Sequence, residues 1–277
     1  MNTTSRWRAL LTGYALVLAS MSFANAASQA TQRTANMSDP LYPFVASKPQ
    51  PALALKGAKP LNVMLSVRPL TLMAQYLIPP EYRQLWQLNS LVSADSTIHD
   101  YQLRPTDLQK LSQTQLLFWL GPQLEPSLSQ LIARFDLREV RLNEQDSLEF
   151  LPLSDDMQAL SLDDHSHHSS VDPHIWLSIS QAPGLLRLFA DEMEALLDDT
   201  ARMQRLQWSK ALVTAQRQGI RLRLKFALEQ QRKLLQQLKV VKRSWTEPRY
   251  ISFHNGFGYL DRDLKVQSLG FVVQNPE

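Results

Sequence analysis

Apolar and polar positions alternate along this chain on two different periods. Leu61-Asn62-Val63-Met64-Leu65-Ser66-Val67 is a short apolar run that predicts a first buried strand, closed by Pro69. Leu70 to Ile78 reads as helix, and Leu91-Val92 as a second strand. Thr106 to Ser112 suits a helix with Thr106 near its N-cap and Asp107 in its first turn. Leu116-Leu117-Phe118-Trp119-Leu120 predicts a buried strand stopped by Gly121-Pro122. Pro126 to Phe135 reads as helix and Val140-Arg141-Leu142 as a further strand. Strands alternating with helices imply an α/β domain with a parallel sheet, whose ligands bind at the carboxyl ends of the strands.

Beyond this region the period changes. From Pro183 to about Arg243 the pattern is helical, in one or two pieces. Leu206, Val213, Ile220, Ala227, Leu234 and Val241 recur every seven residues, with Leu224 and Leu238 on the same face. A single helix over 200–243 would span about 65 Å. Tyr250-Ile251-Ser252-Phe253 then alternates like a strand ending at His254, and Phe271-Val272-Val273 reads as another. Residues 27–57 hold Pro40, Pro43, Pro49 and Pro51 among Ser, Thr, Ala and Gln, the composition of a flexible leader.

Residues 1–26 have the form of a secretory signal peptide. Arg6 and Arg8 precede an uncharged apolar stretch from Ala9 to Phe23, and Ala24-Asn25-Ala26 is a small-x-small cleavage site. The apolar stretch is short for a membrane span, which needs about 20 residues. The mature protein is therefore expected to be exported. The formal net charge of +3 hides an asymmetry, because residues 201–249 hold thirteen Lys and Arg against two Asp and Glu. Those charges are read as a solvated helix face.

The chain has no cysteine, which excludes disulfides, thiolate metal sites and a cysteine nucleophile. Its six histidines are then the main soft-metal ligands. His165, His167 and His168 lie in an acidic loop beside Asp163 and Asp164. His99, His174 and His254 each lie where an apolar element meets a turn. Three neutral imidazoles with one oxygen ligand make a tetrahedral zinc site. No Ser/His/Asp motif, Gly-rich phosphate loop or HExxH is present, so an enzyme is not expected. A zinc-dependent hydrolase is the reading left from another class, because zinc-bound water can reach a pKa of about 7.

His99-Asp100-Tyr101, Arg104-Pro105-Thr106-Asp107, Gly121-Pro122 with Glu125, Asp172-Pro173-His174-Ile175-Trp176-Leu177, Phe253-His254 with Phe257-Gly258-Tyr259, and Asn275-Pro276-Glu277 occur in this order. Together they resemble the metal-binding proteins of bacterial ABC importers, specifically the periplasmic zinc-binding protein of the high-affinity zinc uptake system. The likeness runs from about residue 60 to 277. It implies two α/β lobes joined by a long helix, with the metal between them. The implied organisation is a signal peptide (1–26), a leader (27–57), an N-terminal lobe carrying the histidine loop (58–181), a connecting helix region (182–245) and the start of a C-terminal lobe (246–277). The second lobe would then be largely missing from this chain.

The resemblance also implies His99, His174 and His254 as ligands to Zn(II), with the 163–168 loop as an auxiliary metal-gathering segment. It implies a monomeric receptor in the periplasm, whose partner is an ABC permease in the inner membrane. Manganese and iron members tend to carry a carboxylate at the third position, so His254 points to zinc. Two departures stand out: Ile98 replaces an acidic residue common before the first histidine, and the late acidic residue of the second lobe has no counterpart. A short second lobe implies weaker zinc binding than in a complete member. A periplasmic zinc buffer and a non-functional remnant are the readings left beside the receptor.

Overall fold

A computed structural model of the chain describes residues 57–92, 104–153, 171–254 and 256–273. The signal peptide and leader, His99 and the 163–168 loop lie outside the described residues. Four parallel strands form the main sheet: β1 (Leu61–Leu65), β2 (Trp86–Ser90), β3 (Leu116–Trp119) and β4 (Arg138–Arg141), in the order β2-β1-β3-β4. Register pairs Leu61 with Trp86, Val63 with Leu116, and Phe118 with Val140. Central strands of parallel sheets are covered on both faces, so their sequences run apolar without alternation. Every residue of β3, Leu-Leu-Phe-Trp, is accordingly buried.

Parallel neighbours need long crossovers, which helices supply. They are α1 (Arg68–Tyr76), α2 (Pro105–Ser112) and α3 (Pro126–Ile132). Successive side chains of β3 point to opposite faces. Leu117 and Trp119 pack with Leu111 of α2 and with Leu128 and Ile132 of α3. Phe118 meets Phe189 of α4 (Ala182–Leu196) edge-on, with ring centroids 4.8 Å apart. Strands β1 and β3 and helices α1 to α3 were thus readable from the sequence pattern.

Three expectations need correction. The second strand is Trp86–Ser90, and Leu91 and Val92 follow it, their N–H groups donating to the carbonyls of Leu65 and Ser66. As an edge strand reading Trp-Gln-Leu-Asn-Ser, β2 carries too few apolar residues to announce itself. The N-cap of α2 is Arg104, with Pro105 in the first turn; Asp107 reaches back to accept from the Arg104 N–H at 2.9 Å. Pro at the first helical position is favourable because its missing N–H would have no intrahelical partner.

The third correction concerns the helical stretch. It divides into α4, α5 (Thr200–Arg205) and α6 (Lys210–Lys242). The break at 206–209 contains Gln207 at φ 60°. Its free backbone groups are taken up elsewhere: the Leu206 carbonyl accepts from the Lys59 N–H at 2.8 Å, and the Trp208 indole donates to the Lys59 carbonyl at 2.7 Å. Ser209 caps α6 by accepting from the Leu212 N–H at 3.1 Å. The long helix therefore spans 33 residues, about 50 Å.

The heptad stripe does face inward, burying Ile220, Ala227 and Leu238. It also buries Gln216, whose side-chain carbonyl accepts from the Trp86 indole at 2.9 Å. Arg221 pairs with Glu194 at 2.7 Å and Lys233 with Glu229 at 3.0 Å, while Lys225, Arg232 and Lys239 are exposed. No helix among the described residues is long and apolar enough to cross a membrane.

After α6 come β5 (Arg249–His254), α7 (Gly258–Leu264) and β6 (Gln267–Val273). The two strands are parallel and pair with each other, with an irregularity between Tyr250 and Ser252. The strand expected at Phe271–Val273 is longer at its start, because Gly270 and Ser268 interrupt the apolar pattern. Residues 57–277 form one compact unit.

Candidate metal centre

The carboxyl ends of β1, β2 and β3 gather the loops of the main sheet. Gly121 follows β3 with φ 122°, and a Cβ there would lie 1.8 Å from the Asn143 side-chain oxygen, so only glycine fits. This turn aims Glu125 back at the sheet, where its carboxylate accepts from the Leu120 N–H at 2.6 Å. Burial raises the Glu125 pKa to about 7, against the lowering effect of the Leu120 and Gly121 N–H groups. A partly buried acid thus stands at the carboxyl edge of the main sheet.

His174 is the one proposed ligand whose side chain is described. The apolar element it adjoins is not a strand. His174 caps a short 3-10 turn, Ile175–Leu177, just beyond a bridge between Pro152 and Val171. The ring is buried, with 11% of its side chain exposed, and packs edge-on to Trp176 at 5.3 Å. Asp172, also buried, accepts from the His174 N–H at 2.9 Å and faces its ring Nδ1 at 2.8 Å through the same oxygen.

That pair has direct chemical meaning. A carboxylate facing Nδ1 holds the proton on that nitrogen, directs the lone pair to Nε2 and fixes the ring plane. Metal-ligating histidines generally have such a partner, which raises their basicity and sets their orientation. The Asp-x-His spacing is what makes it work. Asp172 bonds both the backbone and the ring of a residue two positions on, while Pro173 stiffens the link. The sequence pointed to His174 but gave Asp172 no role.

The backbone of His254 is the last residue of β5 and is in register with Val273; its side chain, like all of His99, lies outside the described residues. Gly258 opens α7 only four residues later. A Cβ on Gly258 would lie 3.0 Å from the second carboxylate oxygen of Asp172. A chain of four residues reaches at most about 14 Å, so β5 ends within that reach of Gly258, which itself abuts Asp172. Among the described residues, no three His, Asp or Glu are gathered into a metal cluster.

α7 holds the His174 segment at two places. The Tyr259 hydroxyl, wholly buried, donates to the Asp172 carbonyl at 3.0 Å and accepts from the Leu151 N–H at 3.1 Å. Burial pushes its pKa well above the ordinary tyrosine range. One turn on, Asp263 accepts from the Ser178 hydroxyl, the Ser180 N–H and the Ser180 hydroxyl at 2.8–2.9 Å. Burial opposes ionisation of Asp263, but these donors and Arg262 outweigh it and hold its pKa low. No motif read from the sequence pointed to Asp263. Tyr259 was visible only as part of Phe257-Gly258-Tyr259.

The family model described as zinc-uptake complex component A, periplasmic (ZnuA) matches residues 63–277. The high-affinity zinc uptake system protein ZnuA of Yersinia pestis is 28% identical over 262 residues, covering 82% of this chain and 71% of that protein. A Mn-bound periplasmic metal binding protein from Candidatus Liberibacter asiaticus superposes with a TM-score of 0.57 at 18% identity, covering 78% of this chain and 71% of that one. A ZnuA deletion mutant with zinc bound gives a TM-score of 0.56 at 20% identity, covering 79% and 73%. At these identities the solved structures establish the fold alone, an α/β fold of the metal-type solute-binding proteins.

Proposed function

Because this chain belongs to the zinc-uptake complex component A family, we propose that it is an extracytoplasmic receptor that captures Zn(II) and delivers it to an ABC permease. The observation that carries this reading is the family match over residues 63–277. The buried Asp172–His174 pair supports it independently, because it is the orientation device that a zinc-binding imidazole needs.

Zinc is the cargo here. His99, His174 and His254 are the proposed ligands, the last standing at the end of β5. Three imidazoles suit Zn(II) among the divalent metals, and such a site is completed by an oxygen ligand. Zinc uptake is also the activity named for the Yersinia pestis relative. The protein acts as a binder, not an enzyme. The Arg6/Arg8 signal segment ending at Ala26 would export it to the periplasm, and the 163–168 loop would gather zinc beside the main site.

The test is zinc titration of the purified protein against a chromophoric chelator, with His174→Ala beside the wild type. One saturable equivalent, weakened by about 100-fold or more in the variant, is the expected result. Equal binding by both proteins would remove His174 from the site. Rescue of growth under zinc limitation then separates a receptor from a buffer, since only a receptor feeds the permease.

A further inference from the structure

α7 touches the His174 segment at both of its ends. Tyr259 and Asp263 lie four residues apart and so share one helix face. Tyr259 holds Asp172, just before His174, and Asp263 holds Ser178 and Ser180, just after the 3-10 turn. The Tyr259 hydroxyl does more than bridge one contact. Asp172 N–H donates to the Leu151 carbonyl at 2.8 Å, and the hydroxyl closes the remaining pair by accepting from Leu151 N–H and donating to Asp172 carbonyl. The backbone of Asp172 is therefore fixed on both sides, and its carboxylate is what aims the His174 ring. Meanwhile α7 is joined to β5, which ends at His254, by three intervening residues.

We propose that α7 is a clamp that sets the position of His174 relative to His254, with Tyr259 and Asp263 as positioning residues acting through Asp172 and the 178–180 turn. This rests on the reading of His174 as a zinc ligand. The physical reason is preorganisation. A ligand set drawn from separate segments of the chain loses affinity if either part must be ordered when metal arrives. The clamp fixes one part against the other beforehand, using groups that never touch the metal.

The test measures zinc affinity of full-length Tyr259→Phe and Asp263→Ala by competition with a chelator. His174→Ala reports on the site itself, and Phe189→Leu serves as a destabilised control whose lesion lies in the α4 packing, away from α7. Tyr259→Phe and Asp263→Ala are each expected to weaken zinc by about tenfold, the lower end of the effect of removing a supporting partner. Phe189→Leu should bind as the wild type does. The His174 ring ¹⁵N resonances of zinc-free Tyr259→Phe should move from the pattern of an Nδ1-protonated ring toward a tautomer mixture. Affinities of both clamp variants within twofold of wild type, or an equal loss in Phe189→Leu, would overturn the clamp while leaving the site intact. Wild-type binding by His174→Ala would instead overturn the site reading and the clamp with it. If either clamp variant does not fold, hydrogen exchange on the zinc-free wild type decides: the Leu151 and Ser180 amides should already be protected before zinc is added, and free exchange there refutes the clamp.

Discussion

Replacing Glu125 with Gln tests whether the acid at the sheet edge is held neutral. Burial raises its pKa from 4.5 to about 7, so the folded state holds the proton more tightly than the unfolded state. The stabilisation from this group is then fully present below the unfolded value of 4.5 and is lost as pH rises through about 7. A shift of that size corresponds to about 3 kcal/mol between the limits, at 1.36 kcal/mol per unit. Gln keeps the shape of the neutral acid and can still accept from the Leu120 N–H, but it cannot ionise. Urea unfolding of both proteins between pH 4.5 and 8.5 isolates the effect, because every other titrating group cancels in the difference. The two should be about equally stable at pH 5, with the Gln variant ahead by about 2–3 kcal/mol at pH 8. A difference that does not change with pH, or one that grows in favour of Glu125 as pH rises, would refute a buried neutral acid.

Three further outcomes follow from the same structure. Gly121→Ala should cost about 2–4 kcal/mol in chemical denaturation, since its φ of 122° and the Asn143 oxygen 1.8 Å from the new Cβ leave it no room; a loss below about 0.5 kcal/mol would show the turn to be slack. Ser209→Ala removes the α6 cap and should cost about 1 kcal/mol, with faster hydrogen exchange confined to the first turn of that helix. Replacing His165, His167 and His168 together with Ala should reduce total zinc stoichiometry while leaving the saturable equivalent unchanged; loss of the saturable equivalent would place the main site in the loop.

What the sequence made legible divides along physical lines. Buried strands such as Leu116–Trp119 are visible because both faces are apolar. The edge strand Trp86–Ser90 is not, because its exposed face permits Gln87 and Asn89. The heptad stripe located the long helix but not its start. The break at 206–209 depends on Lys59, about 150 residues away in sequence, accepting and donating the freed hydrogen bonds. In the site, His174 stood out by residue type and motif. Its supports did not: Asp172 acts through a local hydrogen-bond geometry that residue type alone does not announce, and Tyr259 and Asp263 acquire their roles only from contacts with residues more than 80 positions away. The chain spans 71% of the length of the Yersinia pestis relative. The β5-α7-β6 unit grips the segment that carries His174.

The central claim is a zinc site built from imidazoles on separate parts of the fold. X-ray absorption at the zinc edge, on protein carrying one equivalent of zinc and Ala at positions 165, 167 and 168, tests it most directly. The account predicts three histidine nitrogens at about 2.0–2.1 Å, with the outer-ring scattering of imidazole, and a drop to two on His174→Ala. A coordination shell made of oxygen alone, or one unchanged by His174→Ala, would contradict it.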